Sequence, residues 1–368
     1  MKKLVLLLFS LALIIWSGAG AVLAAEPKTP ELTVAQAIDM AVKYSPTLKS
    51  AQLTKDQAWQ ARQNAEDKNR YAFTPTAGVA SIDASVELAF SQLMQASNNY
   101  LTQGKVLDAT TKSVKLNAYD YYLNVLIAQQ SLQSAQKTLA KDQMAEGLAK
   151  VKASVGVIAQ PELIAVQNTT ANSTAVVQQA QQSLDKAYVT FNSAIGLQPE
   201  DRPVLTEQFS FTSFTVPNLT AEASRAETSS TTVWQLEQTV YLQQMNMSYI
   251  NYGPTGALQN YNVQKFNVDI AKSGLAAGRQ AVRDSVFTLY NDIQTNEQVY
   301  SQAQAAVKTA TENLRVAQVK YKVGMATKLD VTVSETALAS AQANLTNLIY
   351  QHAVLVANFN NLTGKSFV

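Results

Sequence analysis

Two stretches pair a glycine with an acid six residues later: 155-VGVIAQPE-162 and 323-VGMATKLD-330. Glycine reaches left-handed backbone angles cheaply, so Gly156 and Gly324 are read as turns. Glu162 and Asp330 then fall in the first turn of a following helix, where the helix dipole favours an acid whatever its function. Carboxylates multiplied by symmetry do a second kind of chemistry. A ring of them attracts cations and repels anions, and crowding makes such a ring bind cations or titrate high. Little else in the chain is reactive. It has no cysteine and one histidine, His352, which excludes thiolate nucleophiles, thiolate metal sites and histidine clusters. His352 itself is read as a polar core residue or an inter-helix hydrogen-bond donor. There is no metal-ligand spacing, phosphate loop or nucleophile elbow, so no enzyme, cofactor or metal is expected.

The elements that must hold these turns are long helices. Around Gly324, apolar residues recur at Tyr300, Ala303, Val307, Ala310, Leu314, Ala317 and Tyr321, then at Val331, Leu338, Ala341, Leu345, Leu348, Leu355 and Phe359. Ser334 and His352 fill the two gaps. This 3,4 spacing is a coiled-coil seam. The first glycine is followed by the same pattern, from Leu163 and Val166 through Thr170 and Ser173 to Leu184 and Phe191. Before it the seam is interrupted by Asp142 and Glu146.

Position i matches position i+168 across this region: Val151-Lys152 with Val319-Lys320, Phe191-Asn192 with Phe359-Asn360, and Gly196 with Gly364. The offset is 24 heptads, so the seam keeps its phase. The chain is therefore read as an internal duplication, an all-α protein of tandem long antiparallel hairpins. One ascending run is expected over about 106–154, roughly 70 Å of helix. Repeat one is assigned to 25–197 and repeat two to 219–368. A linker over 198–218 carries Pro199, Pro203 and Pro217, alternating Phe209, Phe211 and Phe214, and one short strand. Thr33 and Gln36 suit a helix-start capping box, and Ser45-Pro46 punctuates the pattern early. Tyr119, Tyr121, Tyr122, Phe287 and Tyr290 are read as packing residues.

Residues 1–24 read as a signal peptide: Lys2 and Lys3, an apolar run from Leu4 to Trp16, then Val22-Leu23-Ala24. No cysteine follows, which excludes a lipid-anchored N-terminus. Removing this segment leaves 27 basic residues against 27 acids, so nucleic acid is not an expected partner. No second apolar stretch is long enough for a membrane helix.

The export signal, the opening 32-LTVAQAIDMAVKYSPTLKSAQ-52, the tandem hairpins with their tip motif, and the end 359-FNNLTG-364 together resemble the TolC-like outer-membrane efflux family. The resemblance implies a homotrimer whose hairpins close into a 12-helix tunnel in the periplasm, beneath a membrane β-barrel. It implies partners as well: a periplasmic adaptor, also called a membrane fusion protein, and an inner-membrane transporter. The protein would be a passive conduit of a tripartite efflux or type I secretion system. By the same resemblance, Asp330 narrows the tunnel entrance, Tyr321 holds the closed state across helices, and Glu162 is the acid of the first repeat. Val155, Gly156, Val157, Val323, Gly324 and Met325 are the tips that dock the adaptor. The family pattern has a second entrance acid where this chain has Val333 and an arginine where it has Ala326. The lock is thus weaker, or built differently.

Membrane strands need about 9–11 alternating residues each. The only windows offered are 72–90 and 245–266, and neither alternates convincingly, so the barrel is expected to be reduced or absent. The first copy holds 19 more residues than the second, counted from Thr33 and Thr220 to the tip glycines, placed between about 72 and 105. They leave room for a small hairpin at most. The competing expectation is a non-transporting coiled-coil structural protein of the cell envelope.

Overall fold

In a computed structural model, the structure describes residues 30–72, 84–249 and 261–367. The signal-peptide assignment lies outside them, as do the central parts of both membrane-strand windows.

Within the described residues the chain forms eight helices. The first four are α1 (Val34–Tyr44), α2 (Pro46–Ala72), α3 (Ala84–Ser154) and α4 (Gln160–Ile195). The second four are α5 (Leu219–Ser229), α6 (Thr231–Tyr249), α7 (Tyr261–Lys322) and α8 (Lys328–Leu362). The same order, short helix, medium helix, very long helix and returning helix, occurs twice. α3 is 71 residues long, about 105 Å at 1.5 Å per residue, and begins 22 residues before the expected start.

The local chemistry of the two copies runs in parallel. α1 starts with a full capping box, in which Thr33 Oγ1 accepts from the Gln36 amide and Gln36 Oε1 accepts from the Thr33 amide. At the start of α5 Asn218 takes this place and accepts from the Ala221 amide at 3.0 Å. Ser45 and Ser230 each break the first helix from the second, and each hydroxyl accepts from the amide three residues on. All the positive-φ residues described are glycines: Gly156, Gly196, Gly324 and Gly364, two pairs at the repeat offset.

The capping residues correct the placement of the surplus. With Thr33 aligned to Asn218, the first copy is longer by 17 residues rather than 19. α2 is 27 residues against 19 for α6, and α3 is 71 against 62 for α7. The surplus therefore lengthens one helical pair instead of forming a small hairpin. The described parts of the strand windows, residues 84–90, 245–249 and 261–266, are likewise helix. Small, weakly alternating residues such as those of 84–105 satisfy every backbone group within a helix and need no strand partner. The linker's short strand also falls earlier than its phenylalanines. β2 (Val204–Leu205) pairs in parallel with β1 (Glu31–Leu32), tying the linker to the start of the first repeat.

α3 packs along α4, α7 along α8, and α3 against α8, giving the lateral order α4–α3–α8–α7. At the far end α2 lies on α3, α6 on α7, and α3 on α6. The seam of α4 is inward throughout, from Leu163 to Phe191. Along α7 the seam is inward at Ala303, Val307, Ala310, Leu314 and Ala317, but Tyr321, in the last turn of the helix, is exposed.

Asp142 does not leave a gap in the first seam. It is 6% exposed, accepts a short hydrogen bond from Ser173 Oγ of α4, and meets Lys141 at 2.9 Å. Its backbone carbonyl accepts from Thr170 at 3.3 Å. The seam residues Thr170 and Ser173 are polar because they answer Asp142. In the second copy the matching positions are Ala310, Leu338 and Ala341, and the seam is apolar.

Two aromatic cores sit where the short helices dock. In the first, Tyr122 and Phe191 are both fully buried, with ring centroids 5.9 Å apart. In the second, the repeat-related Tyr290 and Phe359 lie 6.4 Å apart, and Phe359 is fully buried. The equivalence is incomplete. Tyr119 is buried beside Phe209 and Phe367, each with its ring centroid 6.1 Å away, whereas Phe287 is exposed and does not pack as expected.

Candidate functional site: the hairpin tips

Each hairpin reverses at its glycine by one hydrogen-bond scheme. In the first, the Gly156 amide bonds to Ala153 O at 3.1 Å and the Val157 amide to Lys152 O at 2.8 Å. In the second, the Gly324 amide bonds to Tyr321 O at 3.0 Å and the Met325 amide to Lys320 O at 2.8 Å. These paired backward bonds close the last carbonyls of α3 and α7 and require φ near +75° at the glycine, which both adopt. A Cβ at either glycine would meet nothing within 4 Å, so these glycines serve the turn and not close packing.

The apolar residues that flank the turns are left in solvent. Val155, Val157, Val323 and Met325 are all exposed, Met325 to 77%. Four large apolar side chains at the ends of two hairpins form an unpartnered surface.

The two acids differ. Asp330 belongs to a capping box with Thr327 at the start of α8. Its Oδ2 accepts from the Thr327 amide at 2.7 Å and from Thr327 Oγ1 at 2.8 Å, while its own amide donates to Thr327 Oγ1 at 3.2 Å. The backbone bond first, and the hydroxyl bond second, hold its carboxyl below the usual aspartate range. At the matching place before α4 stands Ala159, which offers no side-chain cap, with Pro161 in the first turn. Glu162 is exposed, without a capping partner. Tyr321 is 47% exposed, and its hydroxyl makes no hydrogen bond among the described residues. Within one chain Tyr321, Glu162 and Asp330 are thus not joined to one another. No metal-binding group of three His, Cys, Asp or Glu occurs among the described residues, and no described helix is long and apolar enough to cross a membrane.

Two acids outside the tips escape a periodicity reading, because their roles depend on contacts distant in sequence. Glu297 of α7 bonds His352 Nε2 of α8 at 3.1 Å, the inter-helix partner of that histidine, and also receives the linker. Asp120 of α3 has a shielded Oδ1 with no hydrogen-bond partner among the described residues, and burial pushes its carboxyl up to about 6. A folded-state value above the unfolded one favours the protonated form, so folding is penalised as pH rises beyond the unfolded value. Asp120→Asn is therefore expected to raise stability at pH 7–8 and to leave it unchanged near pH 3. Denaturant titrations at both pH values check this, and equal effects at the two would refute it.

The fold defines a class: long tandem helical hairpins of the outer-membrane channel type. The structure is similar to the open-state MtrE outer membrane channel of Neisseria gonorrhoeae, with a TM-score of 0.63 at 16% identity over 91% of this chain and 89% of that one. It is similar to the outer membrane protein VceC of Vibrio cholerae, at 0.61 and 14% over 91% and 97%. It is also similar to the CmeC outer membrane channel of Campylobacter jejuni, at 0.61 and 13% over 90% and 85%. No curated protein matches by sequence. A family model described as outer membrane efflux protein matches residues 215–365. The chain is thus TolC-like in fold, and its likeness in sequence to the outer membrane efflux protein model is confined to residues 215–365.

Proposed function

We propose that the chain is one protomer of a passive homotrimeric duct in a tripartite efflux or type I secretion assembly, and not an enzyme. The observation that carries this is the pair of open edges. Among the described residues α4 and α7 stand at the two ends of the four-helix layer, α4 packing otherwise on α1 and α7 on α5 and α6. Both keep apolar side chains in water, Ile164 on α4, and Val299 and Val316 on α7. An edge of α4 on one copy meeting α7 of the next would bury them and close a ring. On this reading residues 1–24 are an export signal, and 198–218 joins repeat 25–197 to repeat 219–368. The exposed tips around Gly156 and Gly324 receive a periplasmic adaptor that leads to an inner-membrane transporter. Asp330, Glu162 and Tyr321 line the entrance, each acid repeated three times.

Negative-stain microscopy of the purified protein is expected to show tubular trimers, and a monodisperse monomer at every concentration would overturn the duct. The entrance role has its own test. Capping lowers the Asp330 pKa within one chain, whereas a ring of crowded carboxylates raises it. Replacing both Asp330 and Glu162 by alanine should alter single-channel conductance and cation preference with the helical content retained. Unchanged conductance would remove the entrance assignment and leave the trimer standing.

A further inference from the structure

We infer that residues 206–217 form a strap that sets the angle between the two hairpins, and that Glu297 is the residue that latches it. The strap leaves β2 and runs without secondary structure to α5. On the way it touches both repeats. Phe209 stands between Tyr119 and Tyr122 of α3, at 6.1 and 6.5 Å, and Tyr350 of α8, at 5.7 Å. Phe211 stacks on Tyr300 of α7 at 3.8 Å and 9°, and lies 4.8 Å from the His352 ring of α8. Phe214 meets Phe359 edge-on at 5.1 Å. The strap thus crosses the α3–α8 junction, where the two hairpins join.

One carboxylate holds its middle. Glu297 Oε1 accepts from the Phe214 amide at 2.6 Å and faces His352 Nε2 at 3.1 Å, while Oε2 accepts from Ser213 Oγ at 3.2 Å. Gln294, one turn earlier on α7, donates to Phe214 O at 3.3 Å. Both Glu297 and His352 are largely buried, so removing the carboxylate would strand an amide and a ring nitrogen out of water.

Toward the tips the same junction is loose. Ser131, Ser134 and Thr138 of α3 face Ser340, Asn344 and Asn347 of α8 across a cleft of about 420 Å³. Asn347 Oδ1 is shielded there without a partner. Near the tips a weak side-chain bond joins the hairpins among the described residues, from Thr332 Oγ1 to Met144 Sδ at 3.6 Å. Each hairpin is seamed tightly within itself, but the two meet below the strap through small residues, these polar groups together with Ala135 and Ala343, with space between them. A tie at one end and a loose joint beyond it place control of the angle in the tie. This holds whether or not the chain forms a duct.

The test uses the full-length protein. It has no native cysteine, so spin labels at Asn168→Cys on α4 and Ala337→Cys on α8 are unique. Labelled chains are diluted into unlabelled ones. In Glu297→Ala, amide exchange over 206–216 is expected to rise about tenfold or more, and the label distance distribution to shift or broaden by several Å. Glu297→Gln keeps an oxygen acceptor for the Phe214 amide and should restore both. Phe209→Ala, which leaves the carboxylate intact, should move the same distance and guards against misfolding of the first variant. A strap that exchanges fast while the label distance stays at the parent value in both variants would overturn the inference. A strap that stays protected in Glu297→Ala would overturn it equally.

Discussion

Phe359→Ala is expected to cost about 3–5 kcal/mol, the range for emptying a fully buried aromatic site. The ring is 0% exposed and packs with Ala223, Ala226, Val286 and Ile293, beneath Phe214 of the strap. Few of these neighbours can collapse into the space, because all four are small or β-branched and are fixed on helices. The loss should be local as well as large. Hydrogen exchange should accelerate in α5, in the middle of α7 and in the strap, while α1 and α4 keep their protection. The repeat-related Phe191→Ala should do the reverse, loosening α1 and the adjoining parts of α3 and α4. Identical exchange patterns in the two variants would mean that the aromatic cores are one cooperative unit, contrary to the packing described.

Gly196→Ala should be the most damaging of the glycine substitutions. The residue sits at φ +79°, and an added Cβ would stand 2.7 Å from Tyr44 Cγ and 2.8 Å from Tyr44 Cβ. The left-handed conformation alone costs about 1–2 kcal/mol for a residue with a side chain. The clash is with the base of a side chain and not its flexible end, so α1 must shift away from α4. Gly156→Ala at φ +75° has open space around it and should cost only the conformational part. Thermal or chemical denaturation of the two variants gives the comparison. A Gly156 change as costly as the Gly196 change would show that the tip glycine has a packing role that the geometry denies.

These cases show what the sequence exposes. The hairpins were legible because their seams follow a 3,4 spacing, and because Gly156 and Gly324 stand at one phase of a 168-residue repeat. The turn role of these glycines followed from the backbone freedom of a single residue type. Asp142 was misleading alone. It reads as a break in a seam until Ser173 and Thr170, about 30 residues away, are seen to answer it. The surplus residues misled for a different reason: their weak alternation and small side chains do not distinguish a poor strand from an added stretch of helix. The tip acids were found by spacing, yet only coordinates separate the capped Asp330 from the uncapped Glu162, since the difference lies in Thr327 and Ala159 before them. Glu297 carried no local signal at all. Its partners are the linker and a histidine 55 residues on, and no periodicity connects them.

The unequal lengths of the two far-end helical pairs have a geometric consequence. Measured from the tips, the α2–α3 wall stands eight or nine residues taller than the α6–α7 wall, about 12–13 Å at the helical rise. Copies arranged around an axis would therefore alternate taller and shorter walls of described helix, as merlons alternate with crenels.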